Sequence, residues 1–300
     1  MWELYSSYIE VTKMSERSGT LADDPGNNPV GDSLKGRRPT SHERMSGRPW
    51  DASYTDGPAP WDIGRPQPTI ARLASAGGFA GAILDAGCGT GEHTLLVASL
   101  GLPGLGPVLG VDVAETALAI ARKKASDRGM GVEFTAADAL HLERLGRRFE
   151  TVLDCGLFHT FDRDERPGYV ASLASVTEHG GILYVLCFSD QGPDTGPHPI
   201  SEEELTAAFN LGTGWNVAAI EADRIHTRFH GDNGAPALLA TIKRIWGQAD
   251  LRPASAYFRS RSNPRSVWGM TTATPCWRLL IESEAALPLM RAVFSFGTQP

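Results

Sequence analysis

The sequence predicts an α/β fold, a doubly wound and mostly parallel sheet with helices on both faces. Three observations carry this. From Trp61 onward, short apolar runs alternate with amphipathic segments at the rhythm of strand–helix units. A glycine-rich loop, "LDAGCGTGEHT", lies between the first such run and the helix after it. The next two runs each end on an aspartate, Asp112 and Asp138, so both acids fall on the sheet edge that carries the loops.

The elements follow in order. "TIARLASAGG" reads as a helix stopped by glycines, "GAILDAG" as the first strand and "GEHTLLVASLG" as a helix ending at Gly101. "PVLGVDV" is the second strand. "AETALAIARKKASDRG" is an amphipathic helix with Leu118, Ala121 and Ala125 on one face and a stop at Gly129. "VEFTAAD" and "RFETVLDCG" are the third and fourth strands. "DERPGYVASLASVTEHGG" is the next helix, with Pro167 in its first turn. "GILYVLCFSD" is a buried strand, and "SEEELTAAF" a helix with a capping-box pattern from Ser201 to Glu204. "WNVAAIEADRIHTRF" and "ALLATIKRIW" read as two long antiparallel neighbours. Residues 50–246 are thus expected to form the folded domain. Residues 1–49, rich in turn formers, are expected to be a disordered extension, and 247–300 a C-terminal extension whose order is left open.

Composition narrows the function. A net charge of −7, without a Lys/Arg run carrying interleaved aromatics, argues against a nucleic-acid binder working through bulk electrostatics. No apolar run reaches the roughly 20 residues that span a membrane, and the N-terminal residues show no basic leader, so a cytoplasmic location is expected. Cys88, Cys155, Cys187 and Cys276 form no CxxC and no Cys/His cluster at zinc spacing, so neither metal nor disulfide is expected.

In the glycine loop, Gly87, Gly89 and Gly91 allow a sharp turn and close backbone approach to a ligand. Glu92 stands where a dinucleotide fingerprint would place its third glycine. Asp112 follows Gly87 by 25 residues, where a carboxylate can hold two ribose hydroxyls. Singly, Asp112 or Asp138 reads equally well as a loop cap; together behind one glycine loop they point to a nucleoside.

These motifs resemble those of class I S-adenosylmethionine-dependent methyltransferases: "ILDAGCGTG" the first, "GVDV" the acidic second, "AADAL" the adenine-side loop and "LDCGLFHTF" the substrate-side fourth. The resemblance covers about residues 50–246. It implies a Rossmann-like methyltransferase fold of seven strands with the last antiparallel, and S-adenosyl-L-methionine as cofactor. By resemblance Gly87 and Gly89 lie toward the cofactor's amino-acid part, Asp112 toward the ribose, and Asp138 with Ala139 toward the adenine; Asp85, Cys88 and Val113 are expected to bind the cofactor beside them, and Asp154, which closes the fourth strand, to contact the cofactor or the acceptor.

"PWDIGRPQP" and "WDASYTDG" are similar to segments of a narrower group, the thiopurine methyltransferases and bacterial enzymes that methylate quinone- or quinolone-like heterocycles. In that group the tryptophan segment folds over the cofactor. Trp61 then reads as a lid, or alternatively as an anchor for the first helix, and Arg65 as a partner for a carboxylate of the cofactor or of Asp62. The acceptor implied is a small aromatic or heterocyclic molecule, methylated at oxygen, sulfur or nitrogen and enclosed by Leu157, Phe158 and Phe188. His159 is the candidate general base, or else a structural imidazole. Ser189, Asp190 and His198 read as shaping access, and His93 as packing near the glycine loop. The rival functions are a nicotinamide-dependent oxidoreductase and a catalytically silent cofactor-binding protein. Oligomeric state is left open.

Overall fold

A computed structural model describes residues 36–192 and 196–246. Its centre is a seven-stranded sheet: β1 (Gly81–Ala86), β2 (Leu105–Asp112), β3 (Glu133–Ala136), β4 (Phe149–Cys155), β5 (Thr177–Phe188), β6 (Trp215–Ile225) and β7 (Ala235–Arg244). The order is β3-β2-β1-β4-β5-β7-β6, with β7 antiparallel to both of its neighbours. Adjacent residues of a strand face opposite sides, and both sides here are apolar. Ile83, Leu153 and Leu186 join one core cluster, while Leu84, Val152 and Val185 join another. Such strands can only persist between helical layers.

The helices are α1 (Ser41–Ser46), α2 (Pro68–Ser75), α3 (Glu92–Ser99), α4 (Glu115–Asp127), α5 (Arg166–Val176) and α6 (Glu202–Ala208). The Ser201–Glu204 capping box of α6 is formed, and Pro167 lies in the first turn of α5. From β1 the chain runs outward through β2 and β3, then returns to place β4 on the other side of β1. That reversal opens a crevice at the C-terminal ends of β1 and β4, the usual ligand position in such sheets.

Two expectations need correction. The folded part begins before residue 50, because α1 precedes it. This helix has no apolar stripe that a periodicity would reveal; polar contacts hold it. Arg37 makes a bidentate pair with the buried Glu43 at 2.6 and 2.5 Å. Arg44 reaches Asp162 at 2.6 Å and Glu165 at 2.8 Å. In addition, α5 stops at Val176, and "TEHG" opens β5 instead of finishing the helix. Thr177 closes the helix by donating its hydroxyl to the Leu173 carbonyl at 2.8 Å, then pairs with Phe149 of β4. The expectations for residues 1–35 and 247–300 lie outside the described residues. Among the described residues, no helix is long and apolar enough to cross a membrane, and no group of three or more His, Cys, Asp or Glu is placed to hold a metal ion.

Gly110 of β2 shows how tightly α3 and β3 close on the sheet. A Cβ there would stand 2.8 Å from both the Phe134 ring and the Thr94 hydroxyl. Gly110→Ala is therefore expected to destabilise the protein by about 1–3 kcal/mol, the usual cost of overpacking. Urea unfolding at neutral pH measures this as a lower midpoint at unchanged slope.

Candidate active site

The glycine loop leaves β1 and turns at once toward β2. The N–H groups of Gly87 and Cys88 both donate to the Val111 carbonyl at 2.9 Å. Gly89, in the left-handed region at φ +52°, donates its N–H to Asp112 Oδ2 at 2.8 Å, while Asp112 Oδ1 accepts from Ala114 N–H at 2.9 Å. Each Asp112 oxygen keeps a lone pair for a ligand. One strand further out, Asp138 caps the following turn by accepting from Leu140 N–H at 3.0 Å.

A single cavity runs along this edge. Gly87, Cys88, Gly89, Asp112, Val113, Asp138 and Ala139 line one end. His159, Phe161, Phe188, Phe229 and His230 line the other, Leu157 lines the wall against Gly87, and Trp50, Tyr54 and Trp61 lie over the cavity from the N-terminal segment. The aromatic cover is a connected assembly. His42 stacks on Trp50 at 4.0 Å, and Trp61 stands edge-on to Trp50 at 5.5 Å and to Tyr54 at 6.1 Å. Its indole N–H donates to the Tyr54 hydroxyl at 2.9 Å.

Polar ties bind this cover to the sheet. Asp62 accepts from the Thr90 hydroxyl of the glycine loop at 2.8 Å. Asp51 accepts from both the N–H and the hydroxyl of Thr116, at 2.7 and 2.8 Å, and so joins the cover to the start of α4.

Beneath the loop the electrostatics are unusual. Burial pushes the Asp85 carboxyl up to about 7 and the Asp154 carboxyl up to about 6, and it also raises Asp112. Asp85 accepts the Thr94 hydroxyl at 2.6 Å through one oxygen, and its other oxygen is buried with no hydrogen-bond partner among the described residues. The histidines shift the opposite way: burial lowers His42 and His93 to about 4 and His159 to about 3, so all three are neutral at physiological pH.

The comparisons agree with this geometry. Residues 83–181 match the Methyltransferase domain family. A 2-heptyl-1-hydroxyquinolin-4(1H)-one methyltransferase of Mycobacteroides abscessus is 36% identical over 182 residues, which are 59% of this chain and 78% of the relative. The chain is a class I S-adenosylmethionine-dependent methyltransferase. A probable thiol methyltransferase of Arabidopsis thaliana is 30% identical over 57% of this methyltransferase and 77% of its own length. A structure solved in work on the conversion of a disulfide bond into a thioacetal group during echinomycin biosynthesis superimposes with a TM-score of 0.56. It shares 34% identity and covers 66% of this chain and 90% of its own. The nicotinamide-dependent reading gains no support from any of these.

Not every expected residue faces the cavity of this methyltransferase. Phe158 turns into the core, fully buried between Tyr169 and Phe209 at 6.4 and 5.4 Å. Asp154 does not reach the cavity either: it accepts from the N–H groups of Leu157 and Phe158, at 2.9 and 3.2 Å, and from the Tyr169 hydroxyl at 2.8 Å. It is the brace of the turn that presents Leu157 and His159. Asp85 lies behind the glycine loop, outside the cavity wall. Arg65 lines the cavity but forms no ion pair with Asp62, whose oxygens serve Thr90 and Gly64. His42, Trp50, Tyr54, Phe161, Phe229 and His230 are cavity residues that sequence reasoning did not single out. Of these, Trp50 and Tyr54 carried a signal as members of "WDASYTDG", and Phe161 as the last residue of "LDCGLFHTF".

The raised Asp85 fixes a pH effect. The folded state keeps this proton up to about pH 7, whereas an unfolded aspartate releases it near pH ~4. Between those limits the folded state binds more protons, so Asp85 lowers stability as pH rises through the window. Asp85→Asn removes this slope, so the variant's stability relative to the parent is expected to improve from pH 5 to pH 8. Urea unfolding of both proteins at the two pH values measures the difference.

Proposed function

We propose that this methyltransferase moves the methyl group of S-adenosylmethionine onto a small planar aromatic or heterocyclic acceptor. The observation that carries this reading is the aromatic cover. Trp50 and Trp61 close the cavity from above, and Phe161, Phe188 and Phe229 line its acceptor end. Flat rings confined in this way suit a flat ligand. The relative named for a hydroxyquinolinone supports this class of acceptor, and the one named for thiols supports a small acceptor that can carry sulfur.

The residues present fit the cofactor. Gly87 and Gly89 put loop backbone on the cavity wall beside the Asp112 carboxylate, a donor set suited to a nucleoside with an amino-acid arm, and a Cβ at either would press on Leu157 (2.9 Å) or the Tyr54 hydroxyl (3.2 Å). Asp112 would hold the ribose, Asp138, Ala139 and Val113 the adenosine side, and Gly87, Cys88 and Gly89 the amino-acid part. Trp61 would cover that part. The Asp112 and Asp138 carboxyls line this end, and a cofactor bearing sulfonium and ammonium charges complements them. Bound there, the sulfonium supplies a methyl group open to in-line displacement.

The work of the chain itself is positioning and drying. Asp62 and Asp51 tie the cover to the glycine loop and α4, and the cover keeps water from the transfer. We also propose that it works without a nucleic-acid partner, on its net charge of −7.

Calorimetric titration tests the reading. S-adenosylmethionine and S-adenosylhomocysteine are expected to bind with micromolar affinity, at least about tenfold weaker in Asp112→Ala, the loss of roughly one charge-assisted hydrogen bond or more. NAD is expected not to bind. Binding of NAD alone, or cofactor binding undiminished in the variant, contradicts it. A mass-spectrometric screen of thiols and hydroxyquinolones for one added methyl group then tests the acceptor class.

A further inference from the structure

His159 stands on the turn Phe158–Thr160, at the acceptor end of the cavity and almost wholly buried. Its ring lies 4.4 Å from that of Phe188. The backbone N–H of Phe188 points at its Nδ1, at 3.3 Å. An amide N–H can only donate, so Nδ1 is the accepting nitrogen, and in a neutral imidazole the hydrogen then sits on Nε2. Nε2 has no hydrogen-bond partner among the described residues.

The groups facing this ring come from three elements: His42 of α1, His198 of the loop before α6, and Arg166 of α5. Arg166 carries a fixed positive charge that opposes a second one on the ring, and His42 and His198 do so only when they are themselves protonated. The only basic lone pair of His159 is already engaged by a buried amide, and taking up a proton there would set two N–H groups against each other. The ring is arranged to donate, not to accept.

We propose that His159 is a hydrogen-bond donor, through Nε2–H, to an acceptor that enters the site already ionised: a thiolate, or the anion of an acidic hydroxyl on a heteroaromatic ring. This rests on the small-acceptor reading above and replaces general-base catalysis by His159. The acceptor loses its proton to solvent before it binds. In the transfer, its anionic sulfur or oxygen forms a bond to the methyl carbon as the carbon–sulfonium bond breaks. The electron pair of that bond stays on the cofactor's sulfur, which becomes a neutral thioether, and the methylated acceptor leaves neutral. No proton moves within the step. Opposite charges disappear together, so a dry cavity favours it. His159 steadies the anion and selects acceptors acidic enough to ionise near neutral pH.

Two measurements test this. In protein labelled with 15N-histidine, the His159 ring is expected to be neutral with hydrogen on Nε2 from pH 5 to 8. A hydrogen on Nδ1, or a charged ring in that range, overturns the proposal without any acceptor being needed. The second is kcat/KM against pH for para-substituted thiophenols and phenols of graded acidity. Its midpoint is expected to follow each acceptor's own pKa. His159→Phe should lower kcat/KM by about ten- to a hundredfold, the loss of a hydrogen bond to a charged group, with the midpoints unmoved and cofactor affinity intact by calorimetry. His159→Gln, whose amide can donate, should recover part of the loss.

A midpoint fixed at one pH for every acceptor and abolished in His159→Phe makes His159 a base and overturns the proposal alone. If the cofactor binds and no member of either series is methylated, the aromatic-acceptor reading falls and the proposal falls with it.

Discussion

The hydrogen bond from Gly89 N–H to Asp112 is the contact on which the candidate site depends. It folds the glycine loop back over the end of β2, so that the loop backbone and the carboxylate face the same cavity. The bond is possible because β1 and β2 are parallel neighbours in register, Asp85 beside Gly110 and Ala86 beside Val111. The same register leaves Val111's carbonyl free to take two loop N–H groups. Parallel strands buried on both faces thus do more than build a core: they aim the loops after β1, β2 and β4 at one crevice.

The second constraint is the cover. A segment rich in tryptophan and proline cannot extend a helix or a central strand, but it can hold flat rings at fixed angles over a crevice. Here it is joined to the sheet by side-chain oxygens: Asp62 to the glycine loop and Asp51 to α4. The cover is therefore held in register with the glycine loop that lines the cavity. Cofactor and acceptor ends differ in electrostatic character. The Asp112 and Asp138 carboxyls line one, and His159 and His230 beside Phe188 line the other.

Much of this was legible in the sequence because apolar strands and glycine turns leave local signals. Gly87, Gly89, Asp112 and Asp138, singled out by position relative to the strands, all line the cavity. Phe158 and Asp154 show where such reasoning stops. Both lie at the right edge of the sheet, but the turn that follows β4 points Phe158 inward and turns Asp154 onto backbone N–H groups. A sequence pattern locates a turn and does not orient its side chains. His42 and α1 were invisible for another reason. They are held by long-range pairs, such as Arg44 with Asp162 and Glu165, that no local periodicity encodes.

The most direct test of the account is a crystal structure with S-adenosylhomocysteine bound. The account predicts the ribose hydroxyls on the Asp112 carboxylate, the adenine beside Asp138 and Ala139, and the homocysteine arm between the glycine loop and the Trp61 cover. A ligand held elsewhere, or one that leaves Asp112 free and the tryptophan cover displaced from the cavity, contradicts it.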